Sequence, residues 1–308
     1  MIASGTVEGM IRRDMLLAAS VMVIWGFNFV VIDWGMADLP PLLFLAIRFL
    51  LVVFPAVLLV PRPTASWRTI AAVGCFMSLG QFGFLYAAIA AGLPPGLAAL
   101  VLQAQVVFTI VIAAAALHER PSRNQVVGVV LGAVGLCVVA LGRGGDVPAA
   151  ALGLCVVAAL SWGIGNVVSR ASRVSGGLSL TVWSGLVVPV PLVALSLVVD
   201  GPAAFADGLA SFGWEAGLST VYTAGLASLV GYGIFNTLLS RNPAASVVPW
   251  VLLVPPIGMA SAWLVLGDIP ALGEVLGGVV LIAGVLVAIR PARRSRSAPT
   301  PEAAVAAR

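Results

Sequence analysis

The sequence predicts an all-α integral membrane protein, ten transmembrane helices built as two five-helix inverted-topology repeats around a central cavity. Three observations predict it. First, 61% of the 308 residues are hydrophobic and only 9% are charged, against about 45–50% apolar and about 25% charged in a soluble globular chain. A mean hydropathy of +1.11 agrees, and a water-soluble core of this length cannot hide that much apolar surface. Second, the chain contains ten apolar runs long enough to cross a bilayer. Third, Trp25-Gly26 with Asn28 recurs as Trp162-Gly163 with Asn166, each deep inside an apolar run.

A helix needs about 20 mainly apolar residues to cross a hydrocarbon core of about 30 Å. The runs lie at 15–36, 40–61, 67–91, 95–117, 124–142, 148–169, 178–199, 213–239, 244–266 and 271–290. They do not alternate apolar and polar residues, as barrel strands do. The first run follows Arg12 and Arg13 and has no small-residue cleavage site after it. It reads as a retained span and not as a signal peptide. Cys75, Cys137 and Cys155 lie far apart inside predicted spans. They read as small apolar packing residues, with no metal or redox spacing.

The chain has no lysine, so its 16 basic residues are all arginines. With ten spans both termini share one side, and every arginine except Arg143 and Arg48 falls on that side. The positive-inside rule makes it the cytoplasmic side. The opposite loops hold Asp38, Asp146, Asp200, Asp207 and Asp268. The net charge of +4 is thus an orientation signal, and no nucleic-acid partner is expected. The basic tail 291–308 reads as disordered, its arginines near anionic lipid headgroups. The expected organisation is a cytoplasmic N-terminus at 1–13, repeats at 14–143 and 144–290, and the tail.

The repeat extends beyond the tryptophan motif. Gly83 matches Gly231, Pro95 matches Pro243, Glu119-Arg-Pro121 matches Asp268-Ile-Pro270, Gly128 matches Gly277 and Gly135 matches Gly284. Five spans is an odd number, so the second half enters from the opposite face. Inverted repeats of this kind are typical of secondary transporters, whose site lies near the midplane where the repeats meet.

Polar groups inside lipid are costly, so each asks for a role. Asn28 and Asn166 either line a polar cavity or bond a neighbouring helix. Trp25 and Trp162 share their helix face and suit the apolar walls of a site. Gln103 and Gln105 are about 200° apart on a helix, so one is expected to face the cavity and the other a neighbouring helix. Pro249, Pro255 and Pro256 distort the ninth span and free backbone carbonyls. The third span holds Ser78, Gln81 and Tyr86, and the eighth holds Ser228, Tyr232 and Asn236. Tyr232 and Asn236 share one face, with Gly231 and Gly233 leaving room beside the ring. Arg48, inside the second span, either snorkels outward to Asp33 or Asp38 or holds a substrate carboxylate.

Catalytic constellations are absent from the sequence. The one histidine, His118, sits beside Glu119 at a helix end, and no span carries paired carboxylates or a histidine cluster. An enzyme would need such groups, so none is expected, and neither is a cofactor or metal. Glycines at small-xxx-small spacing, Gly128-Gly132 and Gly273-Gly277, read as helix-packing sites. A passive channel would show a filter loop or charged ring.

The chain resembles the drug/metabolite transporter superfamily, specifically proteins with two EamA-type domains, over about 14–290. The resemblance rests on WGFNFVVI at 25–32, PPLLFLAIRF at 40–49, GLAALVLQAQVVFTI at 96–110, SWGIGN at 161–166, VGYGIFNTLLSR at 230–241 and VPWVLLVPPIGMASA at 248–262. Within that superfamily it resembles bacterial exporters of cysteine and O-acetylserine, and next the YddG-type amino-acid exporters. The resemblance implies a basket-like cavity, cytoplasmic termini and export of amino acids or related metabolites by alternating access. The alternatives are another small metabolite, a drug-like compound or, in a different class, a passive channel. It adds weight to Trp25, Asn28, Gln103, Trp162, Asn166 and Tyr232. Trp250 departs from the expected smaller residue and would alter substrate size if it faces the cavity. The candidate cavity set is completed by Tyr86, Gln105 and Asn236. Internal symmetry makes a self-sufficient monomer the expected unit.

Overall fold

The structure is a computed structural model that describes residues 10–143, 147–172 and 177–290. Expectations for Asp146, Arg173 and the tail 291–308 lie outside the described residues. Among the described residues ten helices are long and apolar enough to cross a membrane: α1 Arg12–Gly35, α2 Pro41–Leu59, α3 Trp67–Ala90, α4 Pro95–Ala116, α5 Arg123–Gly142, α6 Ala149–Ala171, α7 Gly177–Val199, α8 Trp214–Arg241, α9 Val248–Leu266 and α10 Leu272–Ile289. This is a multi-pass, all-helical membrane protein. The observed ends fall within a few residues of the predicted runs, because hydropathy and length fix a membrane helix.

Local chemistry sets the ends. Pro41 and Pro95 open α2 and α4, where a missing N–H costs no hydrogen bond. Ser66 caps α3 by accepting from the Thr69 amide at 3.1 Å. Ser122 and Gln125 form a reciprocal capping box at the start of α5, satisfying two amides that the helix itself leaves free. Gly267 ends α9 in the left-handed region, with φ of 76°, which a glycine enters without steric cost. Apolar side chains such as Leu58, Leu141, Val198 and Leu264 stand exposed on the outer surface, as a lipid-facing surface requires.

The two halves pack with matching partners. Helix α1 lies against α8 and α9, while α6 lies against α3 and α4. The remaining principal contacts join corresponding helices: α2 with α7, α4 with α9, and α5 with α10. The α5–α10 crossing shows how. Gly128 meets Gly284 and Ala288, Gly135 meets Gly277 and Leu281, and Gly142 meets Gly273. Residue numbers rise on one helix as they fall on the other, so the pair is antiparallel. The contacts are also reciprocal. Gly128 touches the repeat counterpart of Gly135, and Gly135 touches the counterpart of Gly128. That is the signature of an approximate two-fold relation.

Close backbone approach makes this seam sensitive to volume. A Cβ on Gly135 would stand 2.5 Å from the Leu281 backbone nitrogen, whereas one on Gly153 meets nothing within 4 Å. Gly135→Val is therefore expected to destabilise the protein by about 1–3 kcal/mol, the usual cost of overpacking. Gly153→Ala should be neutral. Thermal midpoints in detergent check both, and equal midpoints for the two variants would refute the close crossing.

Candidate functional site

Between the halves lie two adjoining compartments of about 210 Å³ each. They share Phe82, Trp162, Tyr232 and Phe235 as a common wall. The deeper one is bounded by Trp25, Asn28, Arg48, Gln81, Gln103 and Gln105, with apolar residues between them. The other, with Met77, Ser78, Ser169, Thr181 and Asn236 on its wall, runs toward the end of the bundle where α6 finishes and α7 begins. That end carries Arg62, Arg68, Arg170 and Arg241.

Interrupted helices shape the cavity. Gly74–Gly80 in α3 and Tyr222–Val230 in α8 are π-helical. Such segments displace carbonyls from the regular ladder and are frequent at functional sites. Donors from the other half meet them. The Trp25 indole Nε1 donates to the Ala227 carbonyl at 2.9 Å, and the Ser161 hydroxyl donates to the Phe76 carbonyl at 2.8 Å. Trp25 and Ser161 are near-equivalent positions of the repeated motif. Gly231 makes room for the indole, since a Cβ there would lie 2.6 Å from Nε1.

Both glutamines line the deeper compartment, and one of them, Gln103, also bonds the neighbouring helix α9. Helix α4 is interrupted at Leu102 and Gln103, where Gln103 N bonds Leu100 O and Gln105 N bonds Leu102 O. These tighter turns hold about three residues each, so residues two apart are about 120° apart, not the about 160° of an α-helix. Both side chains line the deeper compartment. Gln103 Nε2 also donates to the Val251 carbonyl at 3.4 Å. Pro255 has no N–H to return an i→i−4 bond to that oxygen. The Val254 amide bonds that oxygen instead, and Gln103, from the other half, is its second donor.

Arg48 does not snorkel. It is only 3% exposed, and its guanidinium lies 4.4 Å from the centre of the Phe82 ring. Nη1 donates to the Tyr86 hydroxyl at 2.8 Å, and Nη2 donates to the Ser228 hydroxyl at 3.1 Å. Ser228, in the π-helical stretch of α8, in turn donates to the Thr223 carbonyl. No ion pair to Asp33 or Asp38 forms; the salt bridge among the described residues is Arg170–Glu119, between exposed groups. Asp33 instead lies toward another carboxylate, Asp268, at the far end of the bundle. There a separate pocket contains Asp268 and Glu274, and burial raises Asp268 above the usual carboxylate range.

Of the other candidates, Trp25, Asn28, Trp162, Tyr232 and Asn236 line the compartments. Tyr86 is fully buried behind Arg48 and positions it. Trp250 packs beside Leu238 and Val247, away from the cavity wall. Asn166 donates to the Thr109 hydroxyl of α4 at 3.3 Å, the helix-to-helix alternative. The repeated motif explains this divergence. Asn28 follows its tryptophan by three residues and Asn166 by four, a rotation of about 100°. Sequence reasoning passed over Phe82, Phe235, Ser228 and Gln81 as wall residues. Phe235 was findable, one helical turn from Tyr232 on the same face.

A family model described as the EamA-like transporter family matches residues 13–141 and 149–290, and the chain belongs to that family. A Salmonella typhimurium protein described as a probable amino-acid metabolite efflux pump is 38% identical over 94% of this chain and 99% of its own. An Escherichia coli protein with the same description is 39% identical over 90% and 95%. A Streptantibioticus cattleyicolor protein described as a probable terminal-alkyne amino-acid exporter is 29% identical over 68% and 69%. A solved crystal structure, 20% identical, superposes with a TM-score of 0.61 over 94% of this chain and all of its own. That likeness supports the fold.

Asn166 and Asn28 should behave differently when truncated. Asn166→Ala is expected to lower stability by about 1 kcal/mol or less, as for an average interhelical bond, with half-saturation of transport unchanged within about twofold. Asn28→Ala should raise half-saturation about tenfold, the equivalent of about 1.4 kcal/mol. Tracer uptake at matched amounts of folded protein checks this, and the opposite ranking would exchange their roles.

Proposed function

We propose that this protein is a secondary transporter that exports amino acids and related small metabolites across a bacterial inner membrane by alternating access. The observation that carries the reading is a central cavity walled by both halves and lined by amides, a guanidinium and aromatic rings. Membership of a transporter family supports it, and so do the relatives described as amino-acid efflux pumps. Substrate is a small molecule; no cofactor, nucleic acid or catalytic step takes part, and the chain works as a monomer among lipids.

The repeats, 14–143 and 144–290, are read as inverted copies. Five helices per copy, the antiparallel α5–α10 seam and its reciprocal glycines support that reading. Two oppositely oriented copies can exchange conformations, so one site opens first to one face and then to the other. The arginine-bearing end, with both termini, is read as cytoplasmic. The cavity runs toward that end, which suits an inward-facing form that loads from the cytoplasm. At the far end α1 and α8 are clasped. Ser219 donates to the Val31 carbonyl at 2.6 Å, and Trp34 meets Trp214 edge-on.

Counterflow in proteoliposomes tests the proposal. Vesicles loaded with unlabelled threonine, methionine, cysteine or an aromatic amino acid should accumulate the labelled form saturably. Trp162→Ala, which removes the wall shared by both compartments, should reduce this at least about tenfold, or about 1.4 kcal/mol of transition-state stabilisation. Absence of exchange for every amino acid, in folded protein, would overturn the substrate class.

A further inference from the structure

We infer that Arg48 is the receptor for the substrate carboxylate, and that Asn28 and Gln81 receive the substrate ammonium, so the cavity selects zwitterions over amines and amides. The inference deepens the transport reading above and rests on it for the identity of the site.

The argument begins with a charge. A guanidinium stays protonated in any protein environment, and burying it without a counter-ion is costly. Arg48 is buried inside a membrane span, and both of its described hydrogen-bond partners, Tyr86 and Ser228, are neutral hydroxyls. Its Nε, also buried, has no partner in the protein. None of the residues bounding either compartment is a carboxylate. The fold nevertheless holds the group firmly, from α3 on one side, α8 on the other, and the Phe82 face below. A cation fixed at three points and left with a free N–H directed at no protein acceptor is arranged for an anion. Carboxylate matches a guanidinium in charge and geometry.

A second observation is independent of the first. Asn28 Oδ1 and Gln81 Oε1 are buried acceptors with no protein donor, and their residues are 8% and 4% exposed. Buried polar atoms ordinarily have partners. Both residues bound the compartment that Arg48 bounds. Amide oxygens attract N–H donors, and an ammonium offers three of them. An anion receptor and two ammonium acceptors in one compartment of about 210 Å³ define an α-amino acid or a close zwitterionic relative. The compartment is smaller than the about 300–1,000 Å³ common for drug-sized ligands. Trp25, Phe235 and Trp162 then meet the apolar remainder. An amine without a carboxylate would place a second cation beside Arg48 and should be rejected.

Binding to the full-length protein in detergent tests this, using L-threonine and L-methionine, their carboxamides, and the amines left by decarboxylation. On the wild-type protein the amino acids should bind at least about tenfold more tightly than the carboxamides, with the amines weaker still. Arg48→Gln should bring acid and carboxamide within about twofold, and Arg48→Lys should restore part of the difference. Should Arg48→Gln fail to fold, the wild-type ligand series and Arg48→Lys still decide. Equal binding of acid and carboxamide to wild type, or an acid preference that survives Arg48→Gln, would overturn the assignment. Acid binding that depends on Arg48 without counterflow would sink the export reading and leave the assignment standing. Amino-acid counterflow with discrimination independent of Arg48 would do the reverse.

Discussion

Hydrocarbon leaves the backbone no water to bond, so every N–H and C=O must be satisfied within the protein. Regular helix meets that demand alone, and most of this chain obeys it. The informative places are those where the ladder is broken and something else must answer. The π-helical stretches of α3 and α8 are met by Ser161 and Trp25. The carbonyl of Val251, which Pro255 cannot serve, takes one bond from the Val254 amide and a second from Gln103. In each case a side-chain donor comes from the opposite half. The backbone defects therefore stitch the halves together while drawing polar side chains to the centre of the membrane. The cavity is where those demands converge.

Architecture and chemistry differ in symmetry. The seam of α5 and α10 is reciprocal glycine for glycine, and both halves contribute a tryptophan to the cavity. Charge is not duplicated. Arg48 lies in α2, while the whole of α7, the corresponding helix, contains no ionisable residue. On the proposed reading, a two-fold arrangement of helices lets the two halves exchange shapes. A one-sided cation, tied by Tyr86 within its own half and by Ser228 across the interface, gives the site a fixed polarity. The bond to Ser228 also ties the guanidinium to the contact between halves. An anion drawing Arg48 toward itself competes with that hydroxyl.

Much of the fold was legible because hydropathy is a one-dimensional property. Length and composition fixed all ten helices, and the repeated Trp-Gly motif foretold which helices would correspond. Direction around a helix was harder. A membrane helix facing lipid on one side and a greasy cavity wall on the other shows little contrast between its faces. Hence Phe82 is hard to read from sequence, and of the two readings of Arg48 the outward one fails because the side chain is buried. The π-helical stretches have no residue signature, and the break at Leu102–Gln103 contains no proline. It is legible only with Val251 of the other half in place. The one-residue difference between the asparagine motifs was on the page, and its consequence follows from about 100° of helical rotation.

The composition of the cavity also bears on how transport is driven. A carrier that couples to protons needs a group in its path whose charge changes near neutral pH. The described walls offer tryptophan, tyrosine, phenylalanine, amides, hydroxyls and one guanidinium, and no carboxylate or histidine. The carboxylates Asp33, Asp268 and Glu274 lie at the opposite end of the bundle from Arg62, Arg68, Arg170 and Arg241, outside both compartments. A zwitterion adds no net charge to the cavity, so the loaded and empty carriers present the same single cation to the membrane. On the proposed transport reading, reorientation would meet a similar electrostatic barrier with and without substrate, and a concentration gradient would suffice to set the direction of flow. Any proton effect would have to act through the distant carboxylates, on the opening of the far end and not on the grip of the site.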